Sequence, residues 1–212
     1  MPRQSAKLYA SVQLTQIARD GVRASEVDTL AAITGIVFSA LALEAIVNEL
    51  VDRVRDPVKG SLIGPVARLL AVARAAGLYE RRTAVEGKIQ IMVAALSDSE
   101  VSSGSQPFQD CNLLIQIRNH IVHTRPESRD QSEDGTWPIH KILQRLVARK
   151  ILQTPNSTQV SATINELQNY AVAKWAFETM VATIQELVAL FPLDFRRDED
   201  LEIFYGVANL AL

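Results

Sequence analysis

The sequence is poor in cysteine, histidine and aromatic residues, and neither sign of charge dominates. A single cysteine, Cys111, stands among 212 residues, so an internal disulfide and a zinc site made of several thiolates are excluded, and a reducing cytoplasm fits best. The formal net charge is −2 and the sequence pI about 6.0. This balance argues against a protein that coats nucleic acid non-specifically, because such binding rests on many Lys and Arg contacts with phosphates. A nuclease with a small, local positive cleft is compatible with it.

Targeting, membrane-spanning and common catalytic motifs are also missing. Residues 1–10 lack a cationic region followed by an apolar run. The most apolar stretch, Ala31 to Val47, is interrupted by Glu44, and we predict that it is too short and too polar to span a bilayer. There is no G-x-x-x-x-G-K loop, G-x-S-x-G elbow or H-E-x-x-H pair. We therefore expect a cytoplasmic protein that uses no membrane, metal or cofactor.

What the sequence does contain is helical periodicity, with almost no strand signal. Hydrophobic residues make up 48% and charged residues 22%, as in typical globular proteins. Ser25 resembles the N-cap of a long helix that should stop near Asp56, and a long final helix is predicted from about Thr158 to Leu190. The pattern predicts an all-α bundle of four or five main helices. We expect one domain over residues 1–212, with an N-terminal helix and turn (1–25), a surface loop (124–136) and a packed tail (194–212).

Two polar residues interrupt the apolar stripe of the long helix. At about 100° per residue, Glu44 and Asn48 fall on the face that otherwise carries apolar side chains, namely Leu30, Ile33, Val37 and Leu41. A carboxylate in a core stripe is costly unless it is paired and hydrogen-bonded. Either the stripe ends there and both side chains reach solvent, or both await a cationic or amide partner from another helix.

A second break lies in the helix predicted from Pro107 to His123. One arc of this helix is polar (Gln116, Asn119, His120, His123) and the opposite arc is apolar (Leu113, Leu114, Ile117, Ile121). Arg118 falls inside the apolar sector. Because a guanidinium cannot lose its charge, it needs an anionic partner, and Glu44 is the natural candidate within the chain.

An arginine, an amide and a histidine placed together can cleave RNA without a metal. Histidine titrates near neutral pH and can move the proton of the 2′-hydroxyl or of the leaving 5′-oxygen. Arginine offers a planar fork that stabilises charge developing on the phosphate. From spacing alone, such a set on a helix is more often structural than catalytic.

The run from Ile115 to His123, followed closely by Pro126, resembles the signature of HEPN-domain proteins. In that family an Arg, a polar residue (often Asn) and a His a few residues beyond the Arg form the active motif, and here four residues separate Arg118 from His123. The upstream run from Ala42 to Leu50 is similar to the family's early helix, with its Leu-Glu and following Asn. Gly87-Lys88-Ile89 resembles a weaker shared feature.

The resemblance implies a helical bundle that forms an intimate homodimer, with two motifs facing each other across the interface. It implies metal-independent endoribonuclease activity, often in toxin–antitoxin, phage-defence or RNA-processing settings, with an antitoxin or regulatory protein as a further partner. Arg118 and His123 would be catalytic, Asn119 would orient them or the phosphate, and Glu44 would hold Arg118. Asn48 would support the site. His120 is extra to the motif, a supporting residue or simply an exposed polar one.

Two other classes of function stay open. The chain can be a non-catalytic HEPN-like module that binds a partner protein or nucleotide, with the polar arc buried against another chain. It can also be a plain helical interaction protein in which the arc is a solvated face.

Overall fold

The computed structural model of the protein describes residues 10–55, 64–77, 83–97, 104–123, 127, 130–159 and 161–192. These residues form eight helices and no strand, which confirms the all-α class. The helices are α1 (Ala10–Ala24), α2 (Ala31–Arg55), α3 (Pro65–Ala75), α4 (Val85–Leu96), α5 (Phe108–Val122), α6 (Lys141–Ala148), α7 (Thr163–Leu167) and α8 (Tyr170–Ala189). All but α6 and α7 have 11 residues or more, so this part of the chain holds six main helices rather than four or five.

The start of α2 differs from the prediction. Ser25 does not cap it, because its hydroxyl donates to the carbonyl oxygen of Val22 at 2.6 Å. Asp28 lies at this start instead: its Oδ1 accepts from the backbone N–H of Leu30 and its carbonyl oxygen from that of Ala31, both at 3.0 Å, and α2 begins at Ala31. The predicted stop near Asp56 lies outside the described residues, as do the tail and part of the loop 124–136.

The single long final helix was a wrong prediction. The chain breaks it into α7 and α8 at Gln168 and Asn169, where Asn169 adopts an extended backbone. The Asn169 side chain accepts from the N–H of Ala171 at 2.8 Å and so caps α8. Asparagine is among the residues most favoured at this position, which explains why the helix restarts there.

The core lies between α2 and α8, with α5 packed against both. Large side chains that are fully buried include Ile36, Leu43, Ile46 and Leu50 of α2, Phe177 of α8, and Phe108 and Leu113 of α5. The apolar arc predicted for α5 is confirmed, because Leu113, Leu114 and Ile117 are buried and Ile121 packs against the core. The polar arc of α5 is therefore directed away from this core.

Two glycines allow α1 and α2 to approach closely. A Cβ atom on Gly21 would lie 2.7 Å from the backbone nitrogen of Gly35, and one on Gly35 would lie 3.0 Å from Cγ2 of Val22. Real Cβ atoms essentially never come as close as the first of these distances. Both glycines lie inside their helices, since α1 continues through Gly21 to Ala24 and α2 through Gly35.

The apolar part of α2 is longer than the stretch Ala31 to Val47 that we predicted to be too short for a bilayer. Its segment Ala31–Val54 continues beyond Val47 and is long and apolar enough to cross a membrane, judged by length and composition alone. Half of its apolar window is buried inside the fold, and the core helices of soluble proteins pass the same test. The cytoplasmic location stays a prediction.

Replacing Gly21 by alanine should lower the free energy of unfolding by about 1–3 kcal/mol, because the new methyl group forces the two backbones apart. Gly87→Ala in α4 is the matched control, since a Cβ there would meet only Cγ2 of Thr83 at 3.7 Å. It should stabilise the protein by up to about 1 kcal/mol through helix propensity. Urea unfolding followed by circular dichroism measures both, and equal effects of the two substitutions would contradict the close contact.

Candidate functional site

An ion pair joins α5 to α2 at the place where Arg118 interrupts the apolar sector. Nη2 of Arg118 lies 2.6 Å from Oε2 of Glu44. The predicted pairing of these two residues is confirmed. The Arg118 side chain is 17% exposed and that of Glu44 is 40% exposed, so the pair lies at the edge of the bundle, with one end open to solvent.

Asn48 has a different partner from Glu44, one turn further along α2. The Nζ of Lys88 in α4 donates to Oδ1 of Asn48 at 2.6 Å, and Lys88 is only 7% exposed. Each polar residue of the α2 stripe therefore receives a cation from another helix, as the second interpretation required. We call Lys88, Asn48, Glu44 and Arg118 the polar band.

The structural role of Lys88 was missed by sequence reasoning, which noted it only as part of a weak family feature. Its signal was available, because Lys88 stands three residues after the buried Val85 and four before the buried Met92. A lysine at that spacing occupies a core position of α4. Such a position demands a polar partner, although the sequence does not say which one.

The guanidinium of Arg118 is incompletely satisfied. Its Nε is buried and has no hydrogen-bond partner among the residues that the structure describes, while Nη2 is held by Glu44. Buried donors are nearly always paired in folded proteins, so each exception requires an explanation. The Arg118 side chain is partly exposed, and a guanidinium fixed in this way can bind an anion such as a phosphate oxygen through the donors that reach solvent.

Asn119 and His123 lie on the exposed side of α5, and their side chains make no hydrogen bond with the described residues. His123 is the C-cap of the helix, and its backbone N–H donates to the carbonyl oxygen of Asn119 at 2.9 Å. Five helical steps separate it from Arg118, which places the two about 140° apart around the axis. Within the described part of one chain, no hydrogen bond unites Arg118 with His123 or Asn119.

His120 is half-buried, whereas one sequence interpretation made it an exposed residue. Its Nε2 lies 3.2 Å from Oε1 of Glu127, and its ring centroid is 4.8 Å from that of His140. Glu127 also accepts from the backbone N–H and the hydroxyl of Thr163, at 3.2 Å and 2.9 Å. His120 thus connects the end of α5 to the starts of α6 and α7, a role that supports the fold.

The possible metal ligands and the thiol of the described residues lie apart from one another or are buried. None of their histidine, cysteine and acidic side chains gather in a group of three or more that could hold a metal ion. Burial raises the pKa of Cys111 to about 12, so its thiol stays protonated and unreactive at neutral pH.

No protein-family model, curated protein or solved structure matches this chain. The family resemblance therefore rests on the motif in the sequence, and HEPN membership stays a prediction.

A double-mutant cycle measures how much the ion pair of Glu44 and Arg118 contributes to the free energy of unfolding. Glu44→Gln should destabilise the protein by about 1 kcal/mol, because it leaves the half-buried guanidinium without its anion. Arg118→Met should leave the free energy of unfolding unchanged or raise it, since methionine suits the apolar sector of α5. In the Arg118→Met background, Glu44→Gln should have little further effect.

The matched control is Glu178→Gln, which removes the partner of Lys174 in a long, exposed pair of 3.9 Å on α8. This change should alter stability by less than about 0.5 kcal/mol. If Arg118→Met destabilised the protein more than Glu44→Gln does, the arginine would be present for structural reasons.

Proposed function

We propose that this protein is a metal-independent endoribonuclease of the HEPN type, which cleaves RNA at a site shared by two copies of the chain. The observation that supports this proposal most is the bond between Arg118 and Glu44. It holds a partly exposed arginine at a fixed place near a helix end whose histidine makes no side-chain hydrogen bond with the described residues. Placing a guanidinium in an apolar sector has no advantage for stability, which favours a functional reason for it.

In the proposed reaction His123 removes the proton of the ribose 2′-hydroxyl as the oxygen attacks the adjacent phosphorus. The bond to the 5′-oxygen then breaks, and the leaving oxygen receives a proton from the conjugate acid or from water. The products are a 2′,3′-cyclic phosphate and a 5′-hydroxyl end. Arg118 stabilises the charge on the non-bridging oxygens, and Asn119 orients the phosphate by hydrogen bonding.

In this proposal the second copy of the chain completes the catalytic pair of arginine and histidine. Arg118 and His123 lie on different sides of α5, so a single chain does not form a compact pair. The exposed side of this helix end includes Asn119, His123 and the apolar Val122, which is 53% exposed. A twofold interface that covers this surface would bring His123 of one copy towards Arg118 of the other.

The biological setting belongs to the same proposal. A toxin–antitoxin or phage-defence role, and an antitoxin or regulatory protein as partner, follow from the family resemblance alone. The net charge of −2 fits an enzyme that contacts RNA locally and does not coat it. The separation of Arg118 from His123 within one chain also suits a non-catalytic module that binds a protein or nucleotide. Cleavage of RNA in EDTA distinguishes the nuclease from this module.

Purified protein should cleave total cellular RNA in excess EDTA and leave 5′-hydroxyl ends. His123→Ala and Arg118→Ala should each reduce the rate by about 10²–10⁴-fold, as expected for loss of a proton-transfer or charge-stabilising group. His140→Asn is the matched control, because it removes a histidine but keeps a residue that can cap α6. Product ends are identified by their labelling with polynucleotide kinase. Wild-type protein that leaves RNA intact would favour the binding module.

The shared site predicts complementation between inactive variants. Arg118→Ala and His123→Ala proteins should each be inactive as homodimers, and mixed dimers should regain one intact site of two. Activity should therefore return after the two variants are unfolded together and refolded, and light scattering should show a dimer at micromolar concentration. A monomer, or a mixture as inactive as its components, would contradict the composite site.

A further inference from the structure

Beyond the motif, a groove of about 450 Å³ lies between α4, α5 and α6. Its volume is within the range of ligand-binding sites. Amide side chains supply much of its surface, from Gln90 of α4 and from Gln109, Asn112 and Gln116 of α5. Arg145 of α6 and Arg149, the C-cap of that helix, complete it, with Glu86 of α4 as the acidic group in the lining.

Arg145 carries a positive charge that no carboxylate of the described residues neutralises. Its Nη1 donates to the amide oxygen of Gln116 at 2.5 Å, and among the described residues no other side chain bonds to it. A neutral amide fixes the position of the guanidinium without cancelling its charge. The remaining N–H donors of the fork are available to a ligand.

Arg149, the C-cap of α6, lies four residues after Arg145 and is held in place by hydrogen bonds. Its Nε donates to Oδ1 of Asp110 at 2.6 Å, and its Nη1 donates to the carbonyl oxygen of Arg145 at 3.3 Å. Asp110 is itself fixed by the indole N–H of Trp175 at 3.4 Å. Asp110 thus offsets the charge of Arg149, whereas Arg145 has no such carboxylate among the described residues, so Arg145 is the arginine of the groove best placed to attract an anion.

The chemistry of the lining selects a phosphodiester with hydrogen-bonding groups around it. The planar forks of arginine match phosphate oxygens, while amides donate to and accept from sugar hydroxyls and base edges. Glu86 disfavours a ligand that carries several negative charges, such as a triphosphate. The lining residues include no aromatic ring, so bases would not stack here and the groove would hold the backbone.

Gln116 links the groove to the candidate site. It holds Arg145 and belongs to the polar arc of α5, three residues before Asn119 and seven before His123. A rise of 1.5 Å per residue puts His123 about 10 Å along the helix from it. We propose that the groove binds a phosphodiester of single-stranded RNA flanking the bond that is cut, with Arg145 as the main contact. This inference rests on the proposed function, because the strand is taken to continue to His123.

The binding experiment uses a short, fluorescein-labelled single-stranded RNA and the full chain with His123→Ala, so that the RNA stays intact. Fluorescence anisotropy measures the Kd at several salt concentrations. Adding Arg145→Gln should raise the Kd about tenfold and lower the slope of log K against log salt by about one. The Kd of the Arg145→Lys protein should lie between the Kd with Arg145 intact and that of the Arg145→Gln protein, because lysine keeps the positive charge but lacks the planar fork of donors.

Lys174→Gln on α8 is the matched control, because it removes one positive charge without touching the groove, and it should leave the Kd unchanged. Equal Kd values for the Arg145→Gln and Lys174→Gln proteins would overturn the inference. Thermal unfolding checks that the Arg145 variants are folded, and the Arg145→Lys protein provides the same test if Arg145→Gln is unstable.

Cleavage assays with His123 intact separate this inference from the proposed function. If the wild type cleaves RNA, Arg145→Gln should raise KM with little change in kcat. If KM and Kd both stay unchanged in that variant, RNA binding in the groove is overturned and the proposed nuclease is not. If the wild type does not cleave RNA but binds it through Arg145, the groove stands and the nuclease does not. If it neither cleaves nor binds RNA, both are overturned.

Discussion

A guanidinium that cannot lose its charge stands in the apolar sector of α5, and the arrangement of the central helices satisfies this constraint. Arg118 needs an anion at that place, and Glu44 of α2 provides it at 2.6 Å. For this bond to form, α2 and α5 must pack in one register, which also places Leu43, Ile46, Leu113 and Leu114 in the core. On the opposite flank of α2, the contact between Gly21 and Gly35 sets the approach of α1.

The polar band extends this constraint to a third helix. Lys88 reaches Asn48 from α4 while Arg118 reaches Glu44 from α5, so α2 presents two acceptors to two cations on consecutive turns. Buried or half-buried charges contribute little net stability, and apolar replacements are often as good. Their value here is positional: a slip of either neighbouring helix would leave a cation without its acceptor. The band therefore fixes where the end of α5, with Asn119 and His123, meets solvent.

Sequence periodicity was sufficient for the features that depend on one helix at a time. It predicted both arcs of α5, and chemical necessity added the pairing of Glu44 with Arg118. It failed where a local alternative competes with a long pattern, as at Asn169, whose capping side chain divides the final helix. It also failed where three-dimensional neighbours decide. The contact of His120 with Glu127 and the groove between α4 and α6 depend on loop paths that periodicity does not specify.

The groove and the candidate site differ in how their arginines are held, and this difference argues for different roles. Arg118 is bound to a carboxylate, which suits a group that must stay in one place while charge develops beside it. Arg145 is bound to a neutral amide and keeps its full charge, which suits a group that attracts an anion before chemistry begins. A chain with a net charge of −2 cannot gather RNA by its overall field. Local, uncompensated arginines such as Arg145 are then the means by which such a protein can bind a strand, and α5 joins that contact directly to His123.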